Sequence, residues 1–380
     1  MDDSLPRRSG STLPALLIGS ALIVGLWVMP DLTPSDAIPV IGQRTDHGRI
    51  VASLGADPTG LPLFTVELDD GDRVEAVVQD GSAAIPGSSN REPYEVGDEV
   101  VVTSFTGPAA GNFAVISEPW RIPLLGLVAA VFAVAVLVVG GLRGMRSLVA
   151  LALTLTVIVR VVVPLLLRGF DPILLAVGVG AAVTLATLLL TEGFSRVTLA
   201  AVCGTFAALA LTAGLAAVFT AVAGFTALQG NEEIAFLIPL VGDRIDLNGI
   251  LLAATVFGAL GVLDDVTVTQ AATVEQLQRS DPVADRARVI GRAMRVGRAH
   301  IAATVNTLML AYLGAGLPLL LLFALSGQSP LLVLNGEIVA VEVIRALVGS
   351  VGIVAAVPLT TVIAAVLMVP AEAAADADAA

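Results

Sequence analysis

The sequence contains no lysine; all 20 basic residues are arginine. A P-loop lysine, a Schiff-base lysine and a lysine general base are therefore excluded. Cysteine is represented by Cys203 alone, which leaves no internal disulfide and no thiolate metal set. The only histidines are His47 and His300, too few for a histidine-rich metal site. Charged residues make up 14% of the chain, against about 25% in an ordinary soluble domain. What fills the space is apolar: 56% of the 380 residues are hydrophobic, and mean hydropathy is +0.91. A soluble globular enzyme, a disordered chain and a disulfide scaffold do not fit these values; a polytopic membrane protein does. Walker A, GxSxG, HExxH and GxGxxG-plus-acid patterns are all absent. The sequence thus points to a non-enzyme that needs no cofactor and no metal.

Charge is unevenly placed. Residues 31–120 hold 15 Asp/Glu against 4 Arg, and the tail 371–380 adds Glu372, Asp376 and Asp378. The remainder is close to neutral. An acidic, water-facing domain joined to a neutral apolar body lacks the basic footprint of a nucleic-acid binder.

A membrane-crossing helix needs about 20 mostly apolar residues. Eight segments qualify: Leu13–Met29, Ile122–Leu142, Ser147–Leu167, Pro172–Thr191, Val197–Val222, Leu247–Val268, Ile301–Leu325 and Ile344–Val369. Val28-Met29-Pro30 is not a small-residue cleavage site, so the first segment reads as a retained anchor in 1–30. The alternative is a cleaved signal peptide and seven spans. Arginine placement sets the orientation. With the N-terminus in the cytoplasm, Arg7, Arg8, Arg143, Arg146, Arg196 and the cluster Arg279, Arg286, Arg288, Arg292, Arg295 and Arg298 lie inside. Only Arg168, Arg244 and Arg345 fall on short outer segments. Both termini are then cytoplasmic, including the acidic tail 370–380, and 31–121 faces outward.

Within that outer segment, His47–Ser53, Leu63–Asp69, Arg73–Gln79, Glu99–Phe105 and Asn112–Glu118 read as short strands, with Asp70-Gly71 a hairpin turn. Five such strands predict a small OB-like or SH3-like barrel. Ala83–Pro93 reads as a loop. The barrel is expected either to dock a protein partner as a sensor or to be a solvated cap. Trp120 and Arg121 fit an interfacial anchor where the chain enters the body 122–369.

Polar residues inside apolar spans are functional candidates by default. Asp264 and Asp265 are adjacent, so they stand about 100° apart around a helix and only one can face the bundle interior. Asp265 with Thr269, and Asp264 with Thr267, bring a carboxylate beside a hydroxyl, a pairing suited to a cation or proton. The competing reading ends the span near Leu263 and leaves both acids in water. His300, Thr304, Asn306 and Thr307 open the next span, either lining a path with the Asp pair or bonding neighbouring helices. Arg160, mid-span, needs a counter-charge; Asp264 or Asp265 is the expected partner, then Glu192 or the polar face of the seventh span. Gly314-Ala315-Gly316-Leu317-Pro318 interrupts the seventh span. In the cytoplasmic loop 271–298, Asp281 is expected to cap a helix starting at Pro282. Val283, Ala287, Ile290 and Met294 would form its apolar stripe. Arg288, Arg292 and Arg295 would form a basic stripe toward anionic inner-leaflet lipid.

Three stretches resemble the YibE/F family of bacterial membrane proteins. They are Leu251–Gln270 with its Gly-Ala-Leu-Gly run leading into Asp265-Val266, Gly291–Leu322 reading GRAMRVGRAHIAATVNTLMLAYLGAGLPLLLL, and Asn335–Thr361 reading NGEIVAVEVIRALVGSVGIVAAVPLTT. The resemblance runs from about Ile122 to Val369, and the family's layout of anchor, outward domain and multi-span body suits the barrel. In the family pattern a hydrophobic residue precedes the motif Asp; here Asp264 stands in that place, which favours Asp265. The resemblance implies a bacterial plasma-membrane protein and brings no biochemical activity with it.

The expected fold is an all-α membrane bundle of eight helices with a small outward β-barrel. The leading expectation is a permease for a small solute or ion, with Asp265 as the ion-linked carboxylate, Thr269, Asn306 and Thr307 along the path, and Arg160 as counter-charge. The rival is a non-transporting scaffold or sensor whose barrel binds a partner.

Overall fold

The computed structural model describes residues 12–32, 43–78, 94–107, 111–225 and 246–370. Arg7, Arg8, Arg244, the loop Ala83–Pro93 and the tail 371–380 lie outside the described residues. The chain divides into two compact units, Met1–Ser35 with Val139–Ala380, and Asp36–Val138.

The second unit holds a closed barrel of β1 (Gln43–Ala56), β2 (Pro62–Leu68), β3 (Arg73–Val78), β4 (Glu99–Gly107) and β5 (Gly111–Pro119), in the order β1-β2-β3-β5-β4. All pairings are antiparallel except β3 with β5. A five-stranded closed barrel matches the OB-like expectation. All five expected strands are present, and β1 is longer than its apolar core suggested. Its polar start, Gln43–Asp46, pairs with Val102–Phe105, while its later residues pair with β2. Alternation fills the interior: Phe64, Val66 and Leu68, then Ala76 and Val78, Val100 and Val102, Ala114 and Ile116, around Ile50. Gly48 sits where β1 pairs with both β2 and β4, and a Cβ there would meet Val66 Cγ1 at 2.7 Å and the Glu67 carbonyl at 2.8 Å. The ring of His47 in β1 packs on Trp120, ring centroids 4.3 Å apart, and the Trp120 backbone N–H donates to the Glu99 carbonyl.

The first unit is helical. Its elements are α1 (Thr12–Val28), the later part of α2 (Ile122–Val157), a π-helical turn Ile158–Val162 running into α3 (Val163–Leu167), α4 (Pro172–Thr191), α5 (Arg196–Ala223), α6 (Leu247–Ser280), α7 (Arg286–Ala315), α8 (Leu317–Leu325), α9 (Pro330–Asn335) and α10 (Glu337–Met368). Local chemistry sets the boundaries. Asp171 caps α4 by accepting from the amides of Ile173 and Leu174, with Pro172 at the first position. Ser195 caps α5, which ends on Gly224 in the left-handed region. The π turn precedes Pro164, which has no N–H to continue the ladder; Val163 N–H instead reaches back to the Ile158 carbonyl.

Among the described residues, five helices are long and apolar enough to cross a membrane, or six if the bent pair α7–α8 counts as one span. The interruption expected near Gly316 is a 57° bend between those two helices. The expected spans Ile122–Leu142 and Ser147–Leu167 form one run of 46 residues. Its break is Gly141, at φ 56° and ψ −134°, a conformation open to glycine.

The loop 271–298 is corrected. α6 continues to Ser280, and α7 starts at Arg286, capped by Asp285 rather than Asp281. Asp281 instead accepts from Arg292 at 2.8 Å. The buried stripe of α7 is Val289, Ala293 and Gly297, whereas Val283 is 76% exposed. The basic residues therefore ride on a helix packed against α6 and α10, not on a separate surface helix. Arg288 and Arg295 are exposed.

A Gly48→Val substitution overfills the barrel seam and is expected to cost ~1–3 kcal/mol. Amide hydrogen exchange on the full chain in detergent should show faster exchange throughout β1, β2 and β4. Unchanged protection there would show the seam to be tolerant.

Candidate functional site

The polar centre of the helical unit lies on α6. Asp264, Thr267 and Gln270 follow one another at three-residue steps and so share a face. The face is set by the apolar pattern around it, because Leu263, Val266, Ala271 and Val274 are fully buried. Thr184 of α4 donates to both carboxylate oxygens of Asp264, at 3.1 and 3.2 Å. The hydroxyl of Thr205 of α5 lies 2.7 Å from that of Thr267. Thr267 itself donates to the Asp264 backbone carbonyl, not to the carboxylate.

One level further along α6, the Gln270 amide donates to Thr361 Oγ1 of α10 at 2.7 Å and to the Ala293 carbonyl of α7 at 3.1 Å. Thr360, the neighbour of Thr361, is fully buried, and its hydroxyl has no hydrogen-bond partner among the described residues. An unmade bond of this kind costs ~1–3 kcal/mol. Thr360 lies directly over Gly204, where any Cβ would collide with it. Four helices thus bring hydroxyls and an amide to one carboxylate-bearing face.

Helix geometry fixes how far this layer lies from the helix ends. At about 1.5 Å per residue, Thr184 lies ~18 Å from the start of α4 and ~10 Å from its end, and Thr205 lies ~14 Å from the start of α5. α6 runs sixteen residues beyond Asp264 before it ends at Ser280. The helix therefore does not stop near Leu263: it continues, packed, past both acids.

The expected assignments within the pair are reversed. Asp264 turns inward, while Asp265 lies on the exposed side of α6 within electrostatic reach of His300. Thr269 also points outward, lining an open groove with Thr273, Gln276 and Ser280. His300 and Thr304 are half-buried on α7. Asn306 and Thr307 are exposed, and the Thr307 hydroxyl is returned to the Ala303 carbonyl. The reason for the reversal is the helical phase: Leu263, Val266, Thr267 and Gln270 define the buried stripe, and 264 stands nearer its centre than 265. Thr184, Thr205, Gln270 and Thr360 were not singled out from sequence, because an isolated Thr or Gln in an apolar helix carries no signal of its own.

Arg160 does not pair with Asp264, Asp265 or Glu192. It sits in the π turn and donates to the carbonyls of Leu26 (3.3 Å) and Met29 (2.8 Å) at the end of α1. Asp31 lies 3.7 Å away, and the guanidinium stands 5.4 Å from the Trp27 ring centroid. These free carbonyls at a helix C-terminus carry partial negative charge, which suits a cation. Arg160 is an anchor for α1, not a counter-charge for the polar layer.

Arg160→Leu should release the end of α1 while leaving the polar layer in place. Hydrogen exchange at Trp27–Met29 should accelerate, with α6 unchanged. Acceleration in α6 instead would tie Arg160 to the Asp pair after all.

Comparison with known proteins adds one assignment. No curated protein and no solved structure matches the chain. A family model described as "YibE/F-like protein" matches residues 128–370, which takes in the whole polar layer and leaves the barrel outside the match. By that match over more than half of its length, the chain belongs to the YibE/F-like family of membrane proteins.

Proposed function

We propose that the protein is a permease-like multi-pass protein of the bacterial plasma membrane that moves a small cation, proton included, through the layer at Asp264. The observation that carries this reading is the carboxylate of Asp264, held by Thr184 more than two turns inside either end of α4 and flanked by the Thr205–Thr267 hydroxyl pair. Ionisable groups at such depth are costly and are kept where ions pass. In this reading α1, the two arms of α2–α3 on either side of Gly141, α4, α5, α6, the bent α7–α8 and α10 make eight crossings. The arginine bias puts both termini in the cytoplasm. Arg288 and Arg295 face anionic inner-leaflet lipid. No bond is made or broken and no cofactor is called for.

A second reading, a sensor or scaffold docking a protein on the barrel, is favoured by one feature. Phe105 and Phe113 stack at 4.7 Å on the β4–β5 hairpin, and Phe113 is 47% exposed. Stacked aromatics in water are a common docking element.

Flux of Na⁺, K⁺ and protons into proteoliposomes separates the two. Asp264→Asn should lower the flux of the carried ion by about tenfold or more, the effect of ~1.4 kcal/mol. Wild-type flux in Asp264→Asn, or no flux of any of the three ions in wild type, would leave the scaffold reading standing.

A further inference from the structure

α5 and α10 carry the same pattern. Gly204–Val218 and Gly352–Val366 are identical at eight of fifteen positions, reading GTFAALALTAGLAAV and GIVAAVPLTTVIAAV. Both contain Gly-x3-Ala-x3-Thr, as Gly204, Ala208 and Thr212 and as Gly352, Ala356 and Thr360. These two triplets face each other head to tail. A Cβ on Gly204 would strike Thr360, and a Cβ on Gly352 would strike Thr212. The helices are therefore antiparallel, and the contact is reciprocal about Ala208 and Ala356, both fully buried.

The preceding helices repeat as well. Ala182–Leu190 of α4 and Ala302–Leu310 of α7 match at five of nine positions, AVTLATLLL against AATVNTLML. In that alignment Thr184, the partner of Asp264, corresponds to Thr304. The second copy's longer connection holds α8 and α9. Hairpins repeated in opposite orientation are the construction from which alternating access arises in many transporters.

α6 lies between the copies. Thr267 meets Thr205 of the first, and Gln270 meets Thr361 of the second. Its two carboxylates diverge in the same way: Asp264 is bound by Thr184 of α4, while Asp265 stands on the exposed side of α6 within electrostatic reach of His300, which is one turn before Thr304 on α7.

We propose that α4–α5 and α7–α10 are inverted copies of one hairpin that rock about Ala208 and Ala356. The adjacent carboxylates Asp264 and Asp265 then hand a small monovalent cation from one copy to the other. In the arrangement described above, Asp264 engages Thr184; in the inverted one, Asp265 engages Thr304. The cation rests on the permease reading, whereas the repeat and its rocking do not.

The test reads distances, not flux. In a Cys203→Ser background, spin labels are placed at Leu199 and Val366 on one end of the α5–α10 pair, and at Val222 and Val343 on the other. Pulsed electron resonance is recorded in liposomes. Gly204→Ala should push the Leu199–Val366 ends apart and draw the Val222–Val343 ends together; Gly352→Ala should do the reverse. Shifts of roughly 2 Å, the size of helix movements at switching interfaces, are expected. If the glycine variants do not fold, Thr184→Val and Thr304→Val replace them, each weakening one of the two arrangements. They too should shift the distances in opposite senses. Shifts in the same sense, or none, overturn the proposal. Opposite shifts combined with wild-type flux in Asp264→Asn would keep the rocking repeat and discard the permease.

Discussion

A carboxylate inside an apolar helix bundle must have its oxygens satisfied by neighbouring side chains, and Asp264 imposes that constraint on everything around it. It requires Thr184 of α4 at its own level, and beside it Thr205 of α5 is bonded to Thr267. That in turn requires α4, α5 and α6 to approach closely there. The close approach is supplied by small residues: Ala176, Ala208, Ala253 and Ala259 are buried in the core beside this layer, and Gly204 admits Thr360. Without hydrophobic driving force between helices in lipid, such packing and such hydrogen bonds are what hold a bundle together.

Much of this was legible in the sequence, and unevenly so. The barrel strands stand where period-two alternation and turn residues placed them, because alternation reports a half-buried strand directly. The membrane body was legible as a body, since apolar length alone marks it. Which of Asp264 and Asp265 faces inward was not. Adjacent residues differ by one step of helical phase, and in an apolar helix the hydrophobic pattern that would set the phase is nearly continuous. Family resemblance pointed to Asp265; the buried stripe through Leu263, Val266 and Gln270 decided for Asp264. The long hairpin of α6 and α7 was read as a loop bearing a separate surface helix for a different reason. Arginines mark the inner side of a membrane whether they sit on a loop, on a surface helix or on the flank of a packed one.

Arg160 illustrates how a charge can look like part of an ion path and be architectural. The demand for a partner was correctly read, but the partner is the exposed end of α1, whose last carbonyls have no intrahelical donors. A π turn imposed by Pro164 delivers the guanidinium to that end. The polar layer is thereby left with no arginine in it, and Asp264 is compensated by neutral hydroxyls alone among the contacts described.

The hairpin of α6 and α7 has a mechanical consequence. Its tip is tied to α10 by Arg286, which donates to the Val369 carbonyl, and is braced internally by Arg292 on Asp281. From that tip the stiff shaft of α6 leads without interruption to Gln270 and Asp264. A pull or a binding event at the arginine-bearing end would thus reach the Asp264 carboxylate as a lever reaches its load.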